Sequence, residues 1–130
     1  NTSGYNNTAV GRDSLAYNSS GANNSALGAG ALQNNQTGGG NIAIGTNCMI
    51  SNTSGSSNIA IGLDTMYNNL SAQNNVAIGN SALYAGPGND NVAIGGSAGQ
   101  YGAGGGARNI YLGAGAGSWS NSGNNNIIIG

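Results

Sequence analysis

A five-residue unit, Asn-x-x-x-Gly with a small or apolar residue at each inner place, constrains this chain more than any other feature. Its copies are Asn7–Gly11, Asn24–Gly28, Asn41–Gly45, Asn58–Gly62, Asn75–Gly79, Asn91–Gly95, Asn109–Gly113 and Asn126–Gly130. The closing glycines are separated by 17, 17, 17, 17, 16, 18 and 17 residues. A fixed period in this range identifies a solenoid, in which each repeat buries its apolar face only against its neighbours. The expected fold is therefore all-β: a parallel β-solenoid, a β-roll or β-helix with about 17 residues per rung. Residues 1–130 form one repetitive segment, with seven full rungs between Gly11 and Gly130. The chain opens and closes inside the repeat and begins without Met, so a piece of a longer fibre is expected.

The competing reading is a disordered linker. Leu, Ile and Val are only 21 of 130 residues and Phe is absent, while Gly reaches 26, a composition found in disordered chains. Registration argues against it. Counted from each glycine, position −1 is always Val, Leu or Ile, and position −3 is Ile or Val in the last six copies. Position +4 holds Leu15, Leu32 and Leu83, with Met49 and Met66 between them. Alternation at a period of two makes −3 and −1 share one face of a short strand. Because they carry the bulkiest aliphatics, that face is expected to point inward. Position −2, occupied by Ala9, Ala26, Ala43, Ala60, Ala77 and Ala93, would then point outward. A flat stripe of small apolar residues there is a candidate subunit interface.

Asparagine at −4 recurs in every copy: Asn7, Asn24, Asn41, Asn58, Asn75, Asn91, Asn109 and Asn126. Stacked rungs bring such side chains to about 4.8 Å from one another, where each amide both donates and accepts along the column. A structural Asn ladder is expected. A second column at +7 comprises Asn18, Asn35, Asn52 and Asn69. These four also satisfy the N-x-[S/T] pattern and are candidate glycan acceptors, although in an Asn- and Ser-rich chain a structural column is the stronger reading. Tyr67 and Tyr84 share position +5, where a column could stack on sugar rings or simply pack the loop.

Catalysis finds few side chains to work with. With no His and five charged residues (Arg12, Asp13, Asp64, Asp90 and Arg108), no Ser-His-Asp or Cys-His arrangement can be assembled, and no enzyme is expected. The single Cys48 and the absence of His leave no tetrahedral zinc set, and no Asp recurs as a calcium β-roll requires. No cofactor is expected. The string Gly102–Ala107 matches a dinucleotide pattern without the helix that would give it meaning. A net charge of −1 gives no reason to expect nucleic acid, and no apolar run is long enough to span a membrane.

The units Asn75-Val-Ala-Ile-Gly-Asn-Ser-Ala82 and Asn58-Ile-Ala-Ile-Gly-Leu-Asp-Thr65 resemble the head repeats of YadA-like trimeric autotransporter adhesins. They are equally similar to repetitive shafts of phage tail-fibre proteins, whose longer A-I-G-x-x-A-L form is completed at Leu83. The resemblance implies a homotrimer, located outside the cell or on a virion. It implies a structural or adhesive fibre segment, a rigid shaft or head that presents a receptor-binding tip. The alternatives are a solenoid that binds glycans or another surface directly, and a single-chain solenoid that stacks into an extracellular filament. Partners would be further copies of the chain, with a cell-surface glycan or protein receptor.

Overall fold

The computed structural model describes residues 2–101, 105–119 and 123–130. Eight three-residue strands, β1 (Thr8–Val10), β2 (Ser25–Leu27), β3 (Ile42–Ile44), β4 (Ile59–Ile61), β5 (Val76–Ile78), β6 (Val92–Ile94), β7 (Ile110–Leu112) and β8 (Ile127–Ile129), follow in chain order. They form one parallel sheet in the same order, a β-solenoid of about seven turns. Each strand ends at the repeat glycine. Gly28, Gly45, Gly62, Gly79 and Gly95 all have φ between +132° and +137°, a backbone state that is essentially glycine's alone. Close approach reinforces the choice, because a Cβ on Gly45 would lie 2.3 Å from the carbonyl oxygen of Gly62.

The strand faces are reversed relative to the sequence expectation. Ala26, Ala43, Ala60, Ala77 and Ala93 are buried in the chain's own core, whereas Ile42, Ile44, Ile78 and Ile94 are 37–42% exposed. Position −2 therefore points inward and −3 and −1 point outward. The proposed alanine interface is corrected accordingly: five of its six members touch the interior, and only Ala9, in the first rung, is exposed. The reason is space. A rung of about 17 residues encloses a narrow lumen, and Leu32, Met49, Met66 and Leu83 at +4 already fill it from the opposite wall at 0% exposure. Only a methyl group fits across from them.

The last rungs exchange the two sizes. Tyr111 replaces alanine at −2 and Ile128 follows it, while Gly99 and Gly117 stand where Leu or Met would be at +4. A Cβ on Gly117 would meet Tyr111 Cδ1 at 2.3 Å, and one on Gly99 would meet Cδ2 at 2.8 Å. The Tyr111 ring thus occupies the volume that two side chains leave open. Its hydroxyl, however, is buried with no hydrogen-bond partner among the described residues, and an unpaired buried hydroxyl costs about 1–3 kcal/mol. Tyr111→Phe should therefore raise the melting temperature, by a few degrees for a gain of about 1 kcal/mol. A lower melting temperature in a thermal scan would mean that the hydroxyl has found a partner, such as an internal water.

Two internal amide ladders replace the large apolar core that so thin a solenoid lacks. In the −4 column, Asn41 Nδ2 donates to Asn24 Oδ1 at 3.1 Å and to the Gly55 carbonyl at 2.8 Å. Asn58 repeats the pattern, while Asn75 keeps the bond to Asn58 Oδ1 but gives its second to the Gln73 carbonyl at 3.1 Å. Each Oδ1 also accepts the backbone N–H of the next asparagine, as Asn41 Oδ1 does from Asn58 at 3.1 Å. One side chain thereby fixes its own corner and the start of the following strand. Asn24, Asn41, Asn58, Asn75, Asn91 and Asn109 are fully buried, and their polar groups are satisfied as burial demands.

Candidate functional site

The feature without a structural purpose inside the chain is the outer face of the sheet. Strand pairing keeps strict vertical register from Thr8↔Ser25 through Ile110↔Ile127 and from Val10↔Leu27 through Leu112↔Ile129. One column reads Thr8, Ser25, Ile42, Ile59, Val76, Val92, Ile110 and Ile127. The other reads Val10, Leu27, Ile44, Ile61, Ile78, Ile94, Leu112 and Ile129. Among them Val10 is 55% exposed and Leu27 50%. Eight strands about 4.8 Å apart make this face roughly 34 Å tall. Parallel sheets are ordinarily covered on both faces, and a contiguous apolar patch of this kind marks an interaction surface. The −3 column turns polar only at Thr8 and Ser25, so the apolar band is widest from β3 to β8.

The other sequence-selected residues lie elsewhere. Asn18, Asn35, Asn52 and Asn69 are buried. Asn35 Nδ2 donates to Asn18 Oδ1 at 2.7 Å and to the Gly38 carbonyl at 2.9 Å, and Asn52 does the same one rung on. Their amide nitrogens are committed to the interior, so the folded chain does not present these sequons for glycosylation. The reading as acceptors is corrected to that of a second internal ladder.

Cys48 lies in the core, where its thiol donates to the Ala60 carbonyl at 3.2 Å. Burial pushes the thiol pKa up to about 12, so at neutral pH it is a small apolar filler and a poor nucleophile. Among the described residues, no group of three or more His, Cys, Asp and Glu side chains is placed to hold a metal ion. No helix among them is long and apolar enough to cross a membrane. Of the Gly102–Ala107 string, residues 102–104 lie outside the described residues.

The aromatic residues form a ladder that sequence spacing showed only in part. Tyr67 and Tyr84 stack with centroids 5.2 Å apart, Tyr84 meets Tyr101 edge-on at 6.4 Å, and Tyr101 stacks on Trp119 at 4.8 Å. Tyr101 and Trp119 sit one residue later in their rungs than Tyr67 and Tyr84 do, which hid the continuity. In the stacked pairs the inner ring faces cover one another, so these rings act first on each other and reinforce the rung edge.

Comparison with protein-family models, curated proteins and solved structures finds no match to this chain.

Proposed function

We propose that this chain is a segment of a self-associating extracellular fibre, in which the outward aliphatic columns of three copies pack together around a common axis. The observation that supports this reading is the uncovered sheet face itself. From β3 to β8 two columns of Ile, Val and Leu stand in unbroken register on a parallel sheet whose other side is already packed. Closed cyclic symmetry gives every copy the same surroundings and leaves no apolar face open. A trimer also matches the resemblance of the Asn-x-Ala-Ile-Gly units to adhesin heads and tail-fibre shafts. On this reading the chain's work is mechanical. Rung stacking gives length, the Asn ladders give rigidity, and the aliphatic seam holds the strands of the fibre together behind a receptor-binding tip on a cell or virion.

The seam can be tested without disturbing the fold. Ile44 and Ile78 are each 37% exposed, so the double change Ile44→Lys, Ile78→Lys places two like charges per copy on the seam and leaves the interior intact. Burying such unpaired charges costs several kcal/mol each, and the assembly should separate into folded monomers by sedimentation, with an unchanged circular dichroism spectrum. A double variant that remains associated would place the interface elsewhere.

A further inference from the structure

The 16-residue rung between Gly79 and Gly95 creates a feature that neither the core nor the outward sheet face uses. At one corner of each early rung, consecutive backbone N–H groups converge on a single carbonyl oxygen of the next rung. Ser19, Ser20 and Gly21 donate to the Gln36 carbonyl at 3.0, 2.9 and 3.1 Å. Gln36 and Thr37 both donate to Thr53 at 3.0 Å, and Thr53 and Ser54 to Leu70 at 2.9 and 3.1 Å. Leu70 and Ser71 continue the series with the same local backbone pattern. The following rung is the 16-residue one, and its return through Gly86, Pro87 and Gly88 offers no such carbonyl. The Leu70 and Ser71 N–H groups have no acceptor among the described residues.

The shortened return also opens a recess of about 380 Å³ at this corner, lined by Asn68, Leu70, Ser71, Ala72, Pro87 and Asn89 among others. Ala72 shows how much room was gained. The equivalent Gly55 would bring a Cβ within 2.5 Å of the next rung's carbonyl oxygen, yet at 72 a methyl group is accommodated. The second Asn ladder stops here as well, because the next rung carries Gly86 at this position, and Asn69 Oδ1 accepts the Ala72 N–H at 3.0 Å instead.

We infer that this recess binds the acetamido group of an N-acetylated sugar, with its carbonyl oxygen taking the two N–H bonds of Leu70 and Ser71. The chemistry follows from what the corner is built to hold. At four preceding corners, with Ser19, Gln36, Thr53 and Leu70 as acceptors, the same donors grip a neutral amide carbonyl, and an acetamido group supplies one. Its methyl group meets the apolar wall of Leu70, Ala72 and Pro87, while the Asn68 side-chain amide and Asn89 Nδ2, whose Oδ1 already accepts the Gln73 N–H at 2.9 Å, are left for ring hydroxyls. A carboxylate is a poorer match, since no Arg or Lys lines the recess and Asp90, bonded to Asn74 at 3.1 Å, adjoins Asn89 in the chain. An extended peptide is also a poorer match, because the donors converge on one point and offer no ladder. The site stands on one chain and does not depend on the self-association reading.

Titrating the isotopically labelled chain with N-acetylglucosamine, followed by amide proton–nitrogen correlation spectra, tests the assignment. The Leu70 and Ser71 amides should shift and saturate with a dissociation constant on the order of 1–10 mM, as befits a ligand of this size. Glucose, which lacks the acetamido group, should leave them in place. Ser71→Pro removes one donor and should abolish the shifts. Because proline could disturb the corner, Leu70→Asp provides a second variant at an exposed residue, with binding at least tenfold weaker and the remaining spectrum unchanged. Absence of shifts at Leu70 and Ser71, an equal response to glucose, stronger binding of an N-acetylated dipeptide amide, or undiminished affinity in Leu70→Asp would each overturn the proposal.

Discussion

Asn58→Asp should destabilise the solenoid by about 3–5 kcal/mol at neutral pH, the range for leaving a buried charge without its partner. Asn58 Nδ2 donates to Asn41 Oδ1 at 3.2 Å and to the Ala72 carbonyl at 2.8 Å. Aspartate keeps the shape but replaces both donors with acceptor oxygen and brings a charge to a site of 0% exposure. The acceptor half of the residue, which takes the Asn75 N–H at 3.0 Å and its Nδ2 at 3.1 Å, is preserved. The loss therefore isolates donation and charge. The pH dependence has a definite sign. Burial beside two acceptor oxygens raises the introduced carboxyl's folded-state pKa above the ordinary value of about 4. The penalty is then smallest below pH 4, grows as pH rises through the unfolded-state value, and reaches its full size above the folded-state value. Chemical denaturation at pH 3 and pH 7, with the parent chain as reference, measures the difference. An equal penalty at both values would show that charge is not the cause.

Gly45→Ala should be comparably damaging for a purely backbone reason. Its φ of +134° is one that L-residues rarely adopt, and the added methyl would fall 2.3 Å from the Gly62 carbonyl oxygen and 2.7 Å from its carbon. Relief requires the two rungs to separate, which weakens the 2.8 Å bond from the Gly62 N–H to the Ile44 carbonyl that joins them. A loss of about 3 kcal/mol or more is expected, seen as a lower midpoint in urea. Because stability in a solenoid propagates through neighbouring interfaces, hydrogen exchange should accelerate first in the rungs around Gly45 and Gly62. Gly96→Ala is the matched control, since a Cβ there meets nothing within 4 Å, and its midpoint should stay within error of the parent. A midpoint for Gly45→Ala as high as the control's would remove the close-packing account of the turn.

The period of the repeat made most of this fold legible. Strands β1 to β8 occupy positions −3 to −1 of the eight copies, and the −4 asparagines form the column that their spacing implies. Which face of the strand turns inward was not legible from alternation, because a period of two groups −3 with −1 without saying where the pair points. Reasoning that the largest aliphatics seek the interior failed because the lumen is narrow and already filled by Leu and Met from the other wall. A signal for the correct choice was nevertheless present. Where −2 enlarges to Tyr111 and Ile128, +4 shrinks to Gly99 and Gly117, and such compensation identifies two positions that share one space. For the seam, the same reversal moves the candidate interface from the alanines to the isoleucines. The recess at Leu70 and Ser71 was signalled only by the 16-residue step and Pro87. Its donors are backbone groups that no side-chain pattern records.

The central claim is that the outward aliphatic columns are covered by further copies of the chain. Multi-angle light scattering on the segment tests it most directly, against a chain mass of 12.6 kDa. The account predicts about three times that mass, held across a wide range of protein concentration. A folded species at the single-chain mass, with the columns open to water, would contradict it.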